Sequence, residues 1–237
     1  MDLGLRDIVA FVVGGTGLIG EATARLLQEE GATVVVGARS EDSLARVAGE
    51  LGVETVVVDT AEQASVDAAV ASVNERFGTI GVLVNTAAPS AQTLDPGRSS
   101  DPEQVVEGLQ GKAMGYLRMT NAVLPQMREA GYGRVVQVNG QNMYVTGSIT
   151  GTVRNAGVAI AAKALADQVA GTGVTINVVN PGPVREDASP RTERGVPGDS
   201  TPEQVATVVV LLCSRGVAAV SGEFVSVGHK LPGLVGY

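Results

Sequence analysis

Short runs of β-branched and other apolar residues alternate along this chain with longer stretches in which apolar positions recur at three- and four-residue spacing. Ile8–Val13, Thr33–Val36, Glu54–Val58, Val82–Asn85, Arg134–Asn139, Thr175–Asn180 and Glu223–Val227 read as strands. Leu18–Glu29, Glu41–Leu51, Ala64–Phe77, Pro102–Ala130, Gly151–Ala170 and Pro202–Cys213 read as helices, the fourth interrupted by Pro125. Strands separated by helices in this way predict an α/β domain built on a doubly wound, seven-stranded parallel sheet with helices on both faces. Asp101-Pro102-Glu103 and Thr201-Pro202-Glu203 each place a capping side chain before a proline at the first helical position, then a carboxylate near the positive helix end. These are helix starts and carry no chemistry.

Composition agrees with the pattern. Hydrophobic residues make up 44% of the 237 residues and aromatic residues only 3%, so the core must be built from Val, Ala, Leu and Ile, as in a sheet covered on both faces. The length suits one domain spanning 1–237, and no linker, repeat or low-complexity stretch divides it. A net charge of -8 argues against nucleic acid as a partner, because such binding depends on Lys and Arg neutralising phosphates. A dinucleotide remains compatible, since backbone amides and one or two local cations suffice to hold its phosphates. Cys213, the only cysteine, lies in the apolar run Val208–Cys213 and reads as a core thiol. With one Cys, one His and no carboxylates at ligand spacing, no metal site is expected. No stretch approaches the roughly 20 apolar residues that span a bilayer, so a cytoplasmic protein with no membrane partner is expected.

The chemistry begins where the first strand runs into the first helix. Gly14-Gly15-Thr16-Gly17-Leu18-Ile19-Gly20 has the spacing G-x-x-G-x-x-G at a strand-to-helix turn, where glycines let a pyrophosphate approach amides at a helix N-terminus. Glycines serve strand-to-helix turns for conformational reasons alone; the surrounding βαβ unit is what makes this one a Rossmann-type dinucleotide signal. The second strand leads into Ala38-Arg39-Ser40, with no carboxylate at its tip to bind an adenosine ribose. Arg39 can pair with a 2′-phosphate and Ser40 can donate to it, which favours NADP(H) over NAD(H). The loops 87–100 and 184–200 both follow strands and are expected at the carboxyl edge of the sheet, where a small-molecule substrate would bind.

Further landmarks resemble the short-chain dehydrogenase/reductase family along nearly the whole chain. Val57-Val58-Asp59 is similar to the family's adenine-contacting segment, which implies Asp59 and Thr60 at the adenine. Val84-Asn85-Thr86-Ala87-Ala88 resembles its N-N-A-G segment, with the second Asn and the Gly replaced, and implies Asn85 and Ala87 at the cofactor. Asn177–Val184 resembles the V-N-x-V-x-P-G stretch beside the nicotinamide, which implies Pro181, Gly182 and Val184. Ser221–Gly228 is similar to the family's last strand. The resemblance also implies a homo-oligomer, because in relatives two helices of this region, here 102–130 and 151–170, form a dimer interface. The small residues of Asn155–Ala166 would permit such an approach, or an equally close one inside the core.

The catalytic positions differ from that pattern. The family carries a serine after the fifth strand, a tyrosine and lysine spaced Y-x-x-x-K, and a supporting asparagine. In register, these positions hold Gly140, Gly151, Asn155 and Lys112, and Glu186 stands where relatives have a cofactor-touching threonine. Asn155 can still hydrogen-bond ribose hydroxyls but supplies no charge. Two residues offer replacement chemistry. Tyr144 follows the fifth strand, where a phenol either donates a proton or forms a pocket rim or oligomer contact. Lys112 would lower a phenol pKa, relay protons or bind an acidic substrate if it points inward, and would be solvated if the helix is offset by one residue. Gln141, Asn142 and Ser148 can orient a carbonyl but are poor acids, and His229 fits a tail or interface histidine as well as a titrating one.

Three functions are compatible with these residues. The first is an NADP(H)-dependent oxidoreductase with atypical proton-transfer residues, acting on a small carbonyl, enone or imine. The second is a non-catalytic NADP(H)-binding sensor or inactive partner subunit. The third uses the fold for non-redox cyclisation or isomerisation.

Overall fold

The computed structural model describes residues 2–88, 94–143, 147–188 and 198–228. Its strands are β1 (Val9–Val13), β2 (Thr33–Ala38), β3 (Glu54–Val57), β4 (Ile80–Asn85), β5 (Gly133–Val138), β6 (Val174–Pro181) and β7 (Phe224–Val227). They form one seven-stranded sheet in the order β3-β2-β1-β4-β5-β6-β7, every neighbouring pair parallel. Every residue of β1, β4, β5 and β6 is buried, which is why these strands read as continuous rather than alternating apolar runs.

The helices are α1 (Leu18–Glu29), α2 (Glu41–Leu51), α3 (Gln63–Phe77), α4 (Pro102–Gly108), α5 (Gly115–Glu129), α6 (Ile149–Gln168) and α7 (Pro202–Cys213). Two large apolar cores result, one on each face of the sheet, with a small third cluster of Ala113, Tyr116 and Val158. Leu27 of α1, Val47 of α2 and Val209 of α7 pack on one face of the sheet, with Ala10 and Val12 of β1. Val73 of α3, Met119 of α5 and Ala162 of α6 pack on the other, with Phe11 and Val13 of β1. The period-2 alternation of β1 therefore feeds both layers. Strand order reverses between β1 and β4, and at such a switch point the carboxyl ends of the strands diverge into a crevice.

The long helix expected over 102–130 departs from that expectation in one respect. It is not interrupted at Pro125, which lies within α5. Pro125 and Asn121 both face solvent, so water can satisfy the carbonyl that the proline leaves without its amide partner. The irregularity lies earlier, where Leu109–Met114 is wound as a π-helix between α4 and α5. Gly108 and Gly115 flank it, and a Cβ on either would stand 2.9 Å from Thr150 Cγ2 or 2.7 Å from Thr60 Oγ1. The segment is pressed against its neighbours at both ends. Helix α6 starts at Ile149 because the Ser148 hydroxyl accepts the Gly151 amide at 3.1 Å. Asp101 and Thr201 cap α4 and α7 as expected, Thr201 with a complete capping box. Among the described residues no helix is long and apolar enough to cross a membrane.

Candidate functional site

The β1–α1 turn is pressed against the segment that follows β4. Gly14 has φ of +84°, and a Cβ there would stand 2.3 Å from the Ala87 amide nitrogen. A Cβ on Gly20 would stand 2.4 Å from the Gly14 carbonyl oxygen, and one on Gly15 would meet Val36 Cγ1 at 2.8 Å. Those three glycines are explained by packing. Gly17 is different: its nearest neighbour, Gly14 O, is 3.7 Å from the Cβ position, so the protein itself leaves room for a side chain. Gly17 is the N-cap of α1 with no side-chain cap, and the first-turn amides of a helix have no partners within it. An uncovered, anion-seeking helix end is what a pyrophosphate requires. Leu18 is exposed beside it and Ile19 is half-buried.

A cleft of about 560 Å³ opens in front of this turn. Gly14, Thr16 and Gly17 form its floor; Arg39 and Ser40 of the β2 tip, Asp59 and Thr60 after β3, and Thr86, Ala87 and Ala88 after β4 form its walls, with Gly111 of the π segment opposite. Arg39 is exposed on the cleft. Ser40 caps α2, its hydroxyl accepting the Ser43 amide at 3.2 Å while its own hydrogen stays available to a ligand. The nearby acids Glu41 and Asp42 lie in the first turn of α2, are exposed, and do not wall the cleft. The Asp59 loop is fixed by its own bonds: Asp59 Oδ1 accepts the Ala61 amide at 3.0 Å, and the Asp59 amide donates to Ser65 Oγ at 2.9 Å. Arg118 of α5 donates to the Thr60 carbonyl at 3.2 Å.

Asn85 lies elsewhere. Its side chain is completely buried behind the cleft and donates to Gln137 Oε1 at 2.9 Å, the neighbouring residue in the β4–β5 register. Gln137 in turn donates to Thr120 Oγ1 at 2.8 Å. Thr86, in the second position of the N-N-A-G-like segment, fastens that segment to β1 by donating its hydroxyl to Val13 O at 2.9 Å.

Residues 8–195 match the sequence pattern of the short chain dehydrogenase family. The chain belongs to this family. It is 31% identical over 243 residues to the 3-oxoacyl-acyl-carrier-protein reductase FabG of Vibrio harveyi, covering 93% of this chain and 96% of that one. It is 30% identical over 230 residues to the acetoacetyl-CoA reductase of Paracoccus denitrificans, covering 91% and 94%. Among solved structures, an actinorhodin polyketide ketoreductase with NADPH superposes with a TM-score of 0.80 at 30% identity, over 93% of this chain and 95% of that one. These relatives of the family member described here are oxidoreductases.

Within this short chain dehydrogenase, the positions expected to carry catalysis gather at the tips of β5 and β6. Lys112 points inward, not to solvent, and is buried; its Nζ donates to Asn139 O at 2.9 Å and to Asn155 Oδ1 at 3.0 Å. Asn139 Nδ2 donates to the Asn155 carbonyl at 3.0 Å, closing the group. Burial pulls the Lys112 amine down to about 7, and the neighbouring Arg154 charge adds to the effect. Tyr116 donates its hydroxyl to Val138 O at 2.9 Å, and burial pushes its phenol well above the usual range. The Asn155 oxygen is thus engaged by Lys112. Gly140 is beside this group, a Cβ there standing 3.3 Å from Asn155 Nδ2, and its amide donates to Asn180 Oδ1 at 3.3 Å; Gly151 lies one turn earlier on α6, against Ser148 and Asn142. The Gly182 amide donates to Val227 O at 2.9 Å, Pro181 pairs with Val227 in the β6–β7 register, and Val184 bridges to Ser200. Tyr144 and His229 lie outside the described residues, as do 89–93 and 189–197 of the two substrate loops.

Cys213 is buried, donates to Val209 O at 3.2 Å, and has its thiol pushed up to about 12 by burial, the behaviour of a core side chain. Among the described residues no three His, Cys, Asp or Glu side chains converge on a metal position. Sequence reasoning missed Gly111, Ala61 and Asn139. It also missed Arg46 of α2, which donates to the Thr16 carbonyl at 3.4 Å and to Glu21 at 3.0 Å and so ties the glycine turn to α2. Only Gly111 had a visible signal, as one of three glycines closely spaced within a helical pattern.

Proposed function

We propose that this chain binds NADP(H) in the cleft in front of Gly14–Gly17 and uses it to reduce or oxidise a small carbonyl, enone or imine substrate. The observation that carries the cofactor assignment is the β2 tip, which presents Arg39 and Ser40 to the cleft and no carboxylate. An arginine there pairs with a 2′-phosphate, whereas an acid would select a ribose hydroxyl. NADP(H), when bound, supplies or accepts a hydride. The chain's own residues hold it: Gly17, Leu18 and Ile19 through the open helix end, Arg39 and Ser40 at the 2′-phosphate, Asp59 and Thr60 at the adenine. Ala87, Pro181, Gly182 and Val184 frame the nicotinamide end. The relatives' names point to 3-oxoacyl thioesters as the first carbonyl class to test.

The usual proton-transfer side chains are replaced by Gly140, Gly151 and Asn155, which leaves Tyr144 and Lys112 for that task. A second reading, a cofactor-binding protein without turnover, is favoured by Gly151, which puts no phenol on α6. The exposed Val106 of α4 and Ile149, Val153 and Ile160 of α6 support a homo-oligomer formed through these helices.

Titration of the protein with NADPH and NADH, followed by cofactor fluorescence, is expected to show NADPH bound at least about tenfold more tightly, with the preference abolished or reversed in Arg39→Asp. Equal affinity for the two cofactors would defeat the assignment. Hydride transfer to a panel of 3-oxoacyl thioesters, simple ketones, enones and imines then separates enzyme from sensor: tight NADPH binding with no turnover of any class favours the sensor.

A further inference from the structure

The placement of Lys112 is not explained by stability. An ammonium removed from water without a carboxylate is unfavourable, and both of its hydrogen-bond acceptors, Asn139 O and Asn155 Oδ1, are neutral. The charged and titratable groups facing it among the described residues are Arg154 of α6, which has the same sign, and Tyr116 of α5, whose ring lies 5.9 Å from Nζ and whose hydroxyl is turned to Val138 O. Neither neutralises it.

Its backbone is equally unusual. Lys112 lies on a π-helical turn, a poorer winding than an α-helix and one found frequently at functional sites. The residue before it, Gly111, is a wall of the cofactor cleft, so the turn connects the cleft to the buried amine. Asn139, which holds the amine through its carbonyl, also keeps its Oδ1 buried without a hydrogen-bond partner. That oxygen is an unused acceptor on the residue whose carbonyl holds the amine, just past the carboxyl end of β5, and the amine itself has a third N–H to give.

We propose that Lys112 is the proton-holding residue of this site, delivered by the π turn and positioned by Asn139 and Asn155. The proposal rests on the NADP(H)-dependent oxidoreductase assignment above. In the direction of reduction, the substrate's carbonyl carbon gains a hydride from the reduced nicotinamide and its oxygen gains one proton. That proton comes from an Nζ–H bond of the ammonium, passed through one water. The bond breaks to leave a neutral amine, and solvent restores the proton. Asn155 and Asn139 carry no proton in this scheme; they fix the direction of the amine.

The chain has three lysines, Lys112, Lys163 and Lys230, so isotope-labelled lysine NMR reads the amine directly in the intact protein. One resonance is expected to titrate near neutrality, to be absent in Lys112→Met, and to move its midpoint in Asn155→Ala and on addition of NADP+. Turnover gives an independent readout. Lys112→Met is expected to lose about 10²-fold in kcat together with the ionisation near neutrality in its pH profile. Lys112→Arg keeps the charge and is expected to flatten that profile. Because amine and amide oxygen are 3.0 Å apart, the exchange Lys112→Asn with Asn155→Lys is expected to recover at least about tenfold over Lys112→Asn alone. Three lysines that all titrate as ordinary amines would overturn the proposal. So would wild-type kcat and pH profile in folded Lys112→Met. If wild-type protein binds no NADPH, the functional assignment fails and this proposal with it; wild-type turnover that ignores Lys112 sinks the proposal alone.

Discussion

Gly17 and Gly20 look alike in the sequence and do different work in the structure. A methyl group on Gly20 would have to displace the Gly14 carbonyl and the Thr86 hydroxyl, at 2.4 and 2.8 Å, so Gly20→Ala is expected to destabilise the fold by about 1–3 kcal/mol. A methyl group on Gly17 touches nothing of the protein closer than 3.7 Å. Gly17→Ala is therefore expected to melt within a degree or two of wild type yet lose at least about tenfold in NADPH affinity, since the methyl occupies the phosphate approach. Thermal melts paired with cofactor titration check both, and loss of stability in Gly17→Ala would remove the distinction. Lys112 gives a second residue-level test. Its amine is held near 7 in the folded chain, whereas in the unfolded chain it returns to about 10.4. Between those values the unfolded chain binds the extra proton, so stability rises with pH across that window; below about 7 both forms are charged and the contribution is flat. Lys112→Met is expected to be more stable than wild type at neutral pH and to lose that rise, as denaturant titrations at pH 6, 7.5 and 9 would report. A variant as pH-dependent as wild type would place the titration elsewhere.

At the scale of elements, the strands and helices were legible because apolar periodicity and caps are local properties. Each strand begins and ends within two residues of its expected position, and the start of α7 coincides with its Thr-Pro-Glu signal. The π turn was not legible. Pro125 is the strongest breaker in that stretch, yet it falls on a solvent-facing position where the helix tolerates it, while the actual irregularity depends on how Gly108 and Gly115 meet Thr150 and Thr60 across the fold. The candidate site divides in the same way. Gly14, Arg39 and Asp59 line the cleft because each sits at or just past the carboxyl tip of a neighbouring strand, β1, β2 or β3. Asn85 does not, because its direction is set by Gln137, and pairing between β4 and β5 depends on a register that no local pattern encodes. The contact of Lys112 with Asn155 joins positions 43 apart in the chain and was invisible for the same reason.

At the scale of the whole molecule, α4 and α6 together carry four of the large apolar side chains left exposed among the described residues, Val106, Ile149, Val153 and Ile160. Ile160 is 71% exposed in the middle of a helix whose opposite side is buried in the sheet. Ile160→Glu, read by light scattering after gel filtration, is expected to convert an oligomer of wild-type chains to smaller species with the fold intact; a monomeric wild type would remove this face as a subunit contact. The sheet itself bears on how the molecule comes apart. Because β1 sends Ala10 and Val12 into one core and Phe11 and Val13 into the other, neither layer can peel away while β1 stays ordered on both sides. The strand that supports the glycine turn is thus a shared hinge-pin of two otherwise separate layers. Loss of either layer therefore requires β1 to loosen as well, so the backbone amides of β1, buried and paired to a strand on each side, are expected to be among the last to exchange with solvent, while those of the open glycine turn above it exchange early.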